Sequence, residues 1–185
     1  MIRPLELAPP GVGDPDSLYE VVFGRKVVKP MGTYENVLAG LLFNTLCNHV
    51  AAHGLGRAVI DVLFDLPTVE NDRRPDVAFV SFARWPANRR PPSVNAWPMV
   101  PELAAEVVSP TDHLVDVIEK VDEYFRAGVG MVWLVLPRQE RVYSYTSPTS
   151  LCILSRGEEL NADPVVPGFR LRLADLFPPP DEPAS

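Results

Sequence analysis

Apolar residues Tyr34, Leu38, Leu41, Leu42 and Leu46 recur at three- and four-residue intervals, which predicts an amphipathic helix over 33–53 that ends at Gly54. Three compact apolar runs follow at 58–64, 75–82 and 102–108, each of strand length. Pro86, Pro91, Pro92 and Pro98 make the stretch between the second and third runs an irregular loop. A second helix is predicted from a Thr111 or Asp112 cap to Ala127, with Gly128 at C′ and a buried stripe of Leu114, Val117, Ile118, Val121, Tyr124 and Phe125. Residues 129–136 read as a fully buried strand, and 142–145 and 151–154 as two more. Near the start, 19–23 and 26–29 flank Gly24-Arg25 as a small β-hairpin, after which Pro30 blocks simple continuation of the ladder. This order of elements, without internal repeats, predicts an α/β (α+β) sheet domain.

A chain of 185 residues that is 46% hydrophobic fills one core and is too short for two ordinary domains. The domain is expected over 17–177, between loose Pro-rich tails at 1–16 and 178–185. Cys47 and Cys152 form no disulfide framework or zinc cluster and read as buried thiols in a reducing compartment. The first ten residues lack an apolar signal core, and the longest apolar stretch is far below membrane-spanning length. A cytoplasmic protein without a membrane anchor is therefore expected.

The net charge of −7 works against non-specific nucleic-acid binding, so any DNA contact must be local. Arg73, Arg74, Arg84, Arg89 and Arg90 form the best basic segment, with Trp85 and Trp97 nearby for base stacking. The same arginines on a proline-rich connector equally describe a solvated loop.

Asp76 and Glu106 change the picture most, because each puts a carboxylate into an apolar run of strand length. Such an acid is costly to bury unless it is paired or binds a metal. Two carboxylates on rigid strands suffice for a hard cation such as Mg²⁺, which lowers the pKa of a bound water and offsets charge on a phosphate. Lys120, at the edge of the second helix's stripe, can run its stem along the core and deliver its amine near the strand ends. These residues define a candidate site for metal-assisted phosphodiester hydrolysis. Glu35, on the apolar side of the first helix's first turn, is either a local cap or a site residue.

Simpler roles exist for each group. Asp76 follows Arg73-Arg74-Pro75 and could pair with an arginine, and Lys120 could pair with Asp116 one helical turn earlier. His49 and His53 share a helix face but lack an HExxH acid or a third ligand, so His49 reads as a satisfied interior histidine. His113 reads as incidental and Ser109 as part of a turn. No GxSxG, P-loop, CxxC or dinucleotide fingerprint is present, so the corresponding chemistries have no support.

Pro75-Asp76, Glu106, Ser109-Pro110 and the stretch from Glu119-Lys120 through Phe125-Arg126-Ala127-Gly128 together resemble a restriction-endonuclease family found widely in bacteria, within the PD-(D/E)XK nuclease superfamily. The resemblance runs from the hairpin near Tyr19 to Pro167-Gly168-Phe169-Arg170 and Leu173-Ala174-Asp175-Leu176-Phe177. It implies a restriction-endonuclease-like core with a central mixed sheet flanked by helices, and Mg²⁺ or Mn²⁺ held by Asp76 and Glu106. In the superfamily pattern a lysine lies two residues after the second acid, where this chain has Val108. The resembled family moves that lysine to the following helix, which assigns Lys120 the role. The expected activity is DNA phosphodiester hydrolysis, with Glu35 assisting and a homodimer supplying two cuts. The alternative is a nuclease-like fold that no longer cuts and acts as a binding or assembly module.

Overall fold

The computed structural model describes residues 18–29 and 32–179. The tail expected at 1–16, and all but the first two residues of that expected at 178–185, lie outside the described residues. A six-stranded sheet forms the centre, built from β3 (Gly56–Ile60), β6 (Val77–Ser81), β7 (Leu103–Val107), β8 (Met131–Leu136), β9 (Arg141–Ser147) and β10 (Ser150–Ser155). Its spatial order is β10-β9-β8-β7-β6-β3. Only β7 and β8 run parallel, joined through helix α2 (Leu114–Ala127), so the sheet is mixed. That crossover explains why β8, Met-Val-Trp-Leu-Val-Leu, is apolar at every position: it is covered on both faces.

Helix α1 (Thr33–Ala52) covers one face through Leu38, Leu42, Leu46 and Val50, which recur every four residues. Tyr34 and Leu41 are exposed, so the buried stripe is narrower than the sequence predicts. Helix α2 covers the opposite face through Val117, Val121 and Tyr124. Leu114 and Ile118, expected in that stripe, point outward because the sheet supports the helix only along the 117–121–124 line. The helix starts at Leu114 with no side-chain cap; Asp112 instead accepts a hydrogen bond from Ser109 N–H at 2.7 Å within the preceding turn. Gly128 terminates it in the left-handed region at φ 99°, as predicted, a conformation that disfavours any residue with a Cβ.

A second sheet, ordered β2-β1-β5-β4, lies beside the first and consists of β1 (Tyr19–Val22), β2 (Arg25–Val28), β4 (Phe64–Leu66) and β5 (Asn71–Arg73). The hairpin turn is Phe23-Gly24, both at positive φ, one residue earlier than expected. Beyond Val28 the ladder gains one more bond, from Lys29 N–H to Leu18 O at 3.0 Å. The predicted strand at 58–64 divides into β3 and β4 at Asp61, whose φ of 52° breaks the extended backbone. A short pair, β11 (Glu159–Asn161) and β12 (Arg170–Arg172), and a single turn α3 (Leu173–Leu176) close the α1 side.

Trp85 and Trp97 are buried, with their rings edge-to-face at 5.3 Å between centroids, and Trp97 also stacks on Phe64. They are core residues rather than a platform for bases, because the loop folds back and pairs Trp97 with Phe64 as a β-bridge. Cys152 is exposed on β10 and Cys47 half-buried on α1, so neither is the buried thiol expected. His49 Nε2–H donates a 3.0 Å hydrogen bond to Pro167 O, consistent with a satisfied histidine. No helix among the described residues is long and apolar enough to cross a membrane.

Candidate active site

Strand register brings the two acids together. Val77 pairs with Ala105 across the antiparallel β6/β7 ladder, so Asp76, one residue earlier, stands opposite Glu106. Alternation along β7 sends Leu103 and Ala105 toward α1 and Ala104 toward α2, which places Glu106 on the α2 face. Helix α2 supplies Lys120 and Tyr124 to that face.

Each carboxylate is held by a short bond from a rigid element. Val107 N–H donates to Asp76 Oδ2 at 2.6 Å, and Tyr124 O–H donates to Glu106 Oε1 at 2.6 Å. The remaining oxygens face one cation. Lys29 Nζ lies 2.8 Å from Glu106 Oε2 and 2.7 Å from Asp76 Oδ1, and donates to Arg74 O at 2.7 Å. Asp76 Oδ1 is buried, and the Lys29 ammonium is its one close polar partner among the described residues.

Lys120 Nζ stands 3.7 Å from Glu106 Oε2 and 3.0 Å from Glu20 Oε2. Glu20, buried on β1, is bound in turn by Arg73 at 3.0 Å, and Arg73 by Glu123 at 2.6 Å. The result is an alternating chain of charge: Asp76, Lys29, Glu106, Lys120, Glu20, Arg73, Glu123. Such a network is retained only when every member is paired, because an unpaired buried charge is very costly.

The surroundings split the acid pair. Burial pushes both carboxyls up, but for Glu106 this is outweighed by the Lys120 and Lys29 charges and by hydrogen bonds from Lys29 and Tyr124, which take it down to about 2. Asp76 is pushed up to about 6 by burial, with the Glu106 charge adding to it and Lys29 and Val107 N–H opposing. Desolvation pulls on the Lys29 ammonium, yet Glu106, Asp76 and Glu20 hold it firmly protonated.

Asp76, Glu106 and Lys120 therefore converge, and two simpler roles fall away: Asp76 pairs with Lys29 rather than with an arginine, and Lys120 with Glu20 and Glu106 rather than with Asp116. Glu35 is buried in the first turn of α1, but it shares no ion pair with Lys29 or Lys120 among the described contacts. Ser109 bonds Thr111 Oγ1 at 2.9 Å within its turn, and exposed His113 occupies the α2 N-cap position.

The arginine segment is largely structural. Arg73 is buried between Glu20 and Glu123, Arg74 bonds Tyr19 O and Asp61 O, and Arg84 bonds Val100 O and Glu102. Arg89 lies over the Trp85 ring at 3.8 Å. Arg73 is thus unavailable as the DNA contact that the sequence suggested, and only Arg89 and Arg90 keep exposed positions without an ion pair among the described residues.

Sequence reasoning missed Glu20, Lys29 and Tyr124 as site groups. One signal was available: Lys26, Lys29 and Lys120 are the chain's only lysines, and two of them meet here. A third carboxylate also lies nearby. Asp61, just beyond β3, donates its N–H to Asp76 O at 3.2 Å, and its Oδ1 is buried without a partner, but among the described residues it does not join the two acids in a three-ligand group. A cavity of about 390 Å³ opens beside Glu106, between the hairpin and the start of α2, lined by Val27, Lys29, Glu106, Val108, His113 and Lys120, with Asp76 buried behind it.

A mixed sheet with helices on both faces, and paired acids at adjacent strand ends, defines a nuclease-like fold. The chain matches the Uma2 family, described as "Putative restriction endonuclease", over residues 5–174, and it belongs to that family. Among solved structures it is similar to a putative nuclease of DUF820 from Anabaena variabilis ATCC 29413, with a TM-score of 0.75 and 18% identity, covering 86% of this chain and 89% of that one. At that identity the likeness concerns the fold. A search of curated proteins returned no match.

Proposed function

We propose that the protein is a metal-dependent endonuclease that hydrolyses DNA phosphodiester bonds, with Asp76 and Glu106 as the metal-holding pair and Lys120 as the phosphate-facing cation. The observation that supports this most directly is the register of β6 and β7, which sets buried Asp76 opposite Glu106, a residue that lines an open cleft. The donor set fits a hard divalent cation: the oxygens are anionic, and buried Asp76 Oδ1 meets only the Lys29 ammonium among the described residues. Lys29 already marks the point at which a cation meets both acids. Mg²⁺ or Mn²⁺ held there would lower the pKa of a bound water and offset charge on the phosphate.

The chain's own groups divide the remaining work. Tyr124 and Val107 N–H fix the two carboxylates so that little reorganisation is needed as charge develops. Lys120, half-buried against Glu20, directs a preorganised positive charge at the cleft. Its ammonium can orient a phosphate oxygen or the attacking water but cannot take a proton from it. A homodimer would supply the second cut in a duplex.

A second reading is favoured by the same Lys29: a nuclease-like module whose acids are already neutralised internally would bind without cutting. Incubating the protein with supercoiled DNA and Mg²⁺ or Mn²⁺ decides between them. Nicking by the wild type that Asp76→Ala abolishes is the expected result; equal activity in Asp76→Ala overturns the site assignment, and no nicking by either favours the module.

A further inference from the structure

We infer that Lys29 is a built-in counter-cation of the acid pair, which must withdraw from Asp76 and Glu106 before a divalent cation can bind them. The inference rests on the metal reading above and concerns how that site is controlled.

Its basis is the set of oxygens around one amine. Lys29 Nζ meets Asp76 Oδ1 at 2.7 Å, Glu106 Oε2 at 2.8 Å and Arg74 O at 2.7 Å. The other oxygen of each acid is taken by Val107 N–H or Tyr124 O–H, so the oxygens that Lys29 holds are the ones left for a metal. An ammonium and a second cation cannot share that space, because like charges a few ångströms apart in a buried site repel strongly. Occupancy by Lys29 and occupancy by metal are therefore alternatives.

Lys29 is also placed to move. It follows β2, an edge strand whose four residues are all exposed and which pairs only with β1. Withdrawing its side chain breaks no bond of the central sheet. The cleft it would enter is the one it already lines, together with Val108 and Lys120. The released ammonium would then stand with Lys120 on the side where Val108 replaces the lysine of the superfamily pattern. Exchange thus converts a self-neutralised site into one that attracts a phosphate, and links metal loading to substrate affinity.

Titration calorimetry with MnCl₂ on the full chain, Lys29→Met and Lys29→Arg reads the competition directly. Removing the competing charge should tighten Mn²⁺ binding by at least about tenfold in Lys29→Met, while Lys29→Arg, which keeps a cation, stays within about threefold of wild type or binds more weakly. Amine labelling of the wild type, read by peptide mass spectrometry, provides an arm that needs no variant. Lys29 should label at least about fivefold faster in saturating Mn²⁺ than in EDTA, while Lys26 on the same hairpin is unchanged. Equal Mn²⁺ affinity in wild type and Lys29→Met, with unchanged labelling, overturns the exchange and leaves the metal site standing. Binding by Lys29→Met alone supports Lys29 as the blocking cation and favours the non-cutting module for the wild type. No binding by either protein removes the metal reading and this inference together. If Lys29→Met fails to fold, the labelling arm decides.

Discussion

Tyr124 on α2 donates its phenolic hydrogen to Glu106 Oε1 at 2.6 Å, and both side chains are buried. Because one partner is ionised, this is a charge-assisted bond, and it ties the crossover helix to the strand it follows. Tyr124→Phe keeps the ring and leaves a buried carboxylate oxygen without its donor. We expect a loss of about 1–3 kcal/mol in stability, read as a lower urea midpoint at unchanged slope, and a Glu106 carboxyl that titrates higher. An unchanged midpoint would mean that another group satisfies Oε1.

The two acids predict opposite slopes of stability against pH in metal-free buffer. Asp76 is held at about 6 in the fold against an ordinary value of 3.8, so the native state binds its proton more tightly than the unfolded chain does. Its contribution is therefore present at low pH and is lost as pH rises from about 4 through 6. Glu106 is held at about 2, so its contribution is present above its ordinary value of 4.5 and is lost as pH falls toward 2. Asp76→Asn should remove the first dependence and keep the second. Urea unfolding in EDTA between about pH 2 and 7 tests both, and a variant with the wild-type slope between about pH 4 and 6 would show that Asp76 does not titrate there.

Arg73 and Arg90 were equivalent members of one basic segment in the sequence, and the structure separates them. Arg73 lies buried between Glu20 and Glu123, whereas Arg90 is exposed. Arg73→Met should remove the guanidinium shared by two buried carboxylates, leaving Glu20 with Lys120 and Arg74 N–H and Glu123 with Asn71 alone, and cost about 3–5 kcal/mol, while Arg90→Ala should stay within about 0.5 kcal/mol of wild type. Thermal melts of the two variants check the contrast. DNA affinity, if the loop contributes to it, should fall in Arg90→Ala at constant melting temperature.

That contrast shows what was legible in the chain and why. Strands β6, β7 and β8 and both long helices could be read because an apolar run or a helical period reports burial directly. β5, Asn-Asp-Arg, could not: its inward positions are Asn71 and Arg73, which are buried through hydrogen bonds to Glu123. Asp76 and Glu106 stood out as acids within apolar strands. Glu20 and Lys29 did not, because their hairpin is exposed on β2, and its position over the site is set by one pairing, Val21 with Asp72, between segments far apart in the chain. Local patterns report which face is buried; they do not report which distant ammonium will meet a buried acid.

Lys120 offers the cleanest separation of fold from chemistry. Its ammonium contacts Glu20 at 3.0 Å and Glu106 at 3.7 Å, yet neither acid depends on it alone. Glu20 retains Arg73 at 3.0 Å and Arg74 N–H at 3.0 Å, and Glu106 retains Lys29 and Tyr124. Lys120→Met should therefore fold, at a cost of about 1 kcal/mol, because the methionine stem still covers the edge of the α2 stripe. Activity should respond differently. A preorganised charge aimed at a developing oxyanion is worth about 10²–10³ in rate, so nicking under the endonuclease reading should fall by that factor although Mn²⁺ binds no more weakly than in wild type. Lys120→Arg restores the charge with a different shape and should recover part of the loss. A variant that melts normally and nicks at the wild-type rate would confine Lys120 to its ion pair with Glu20.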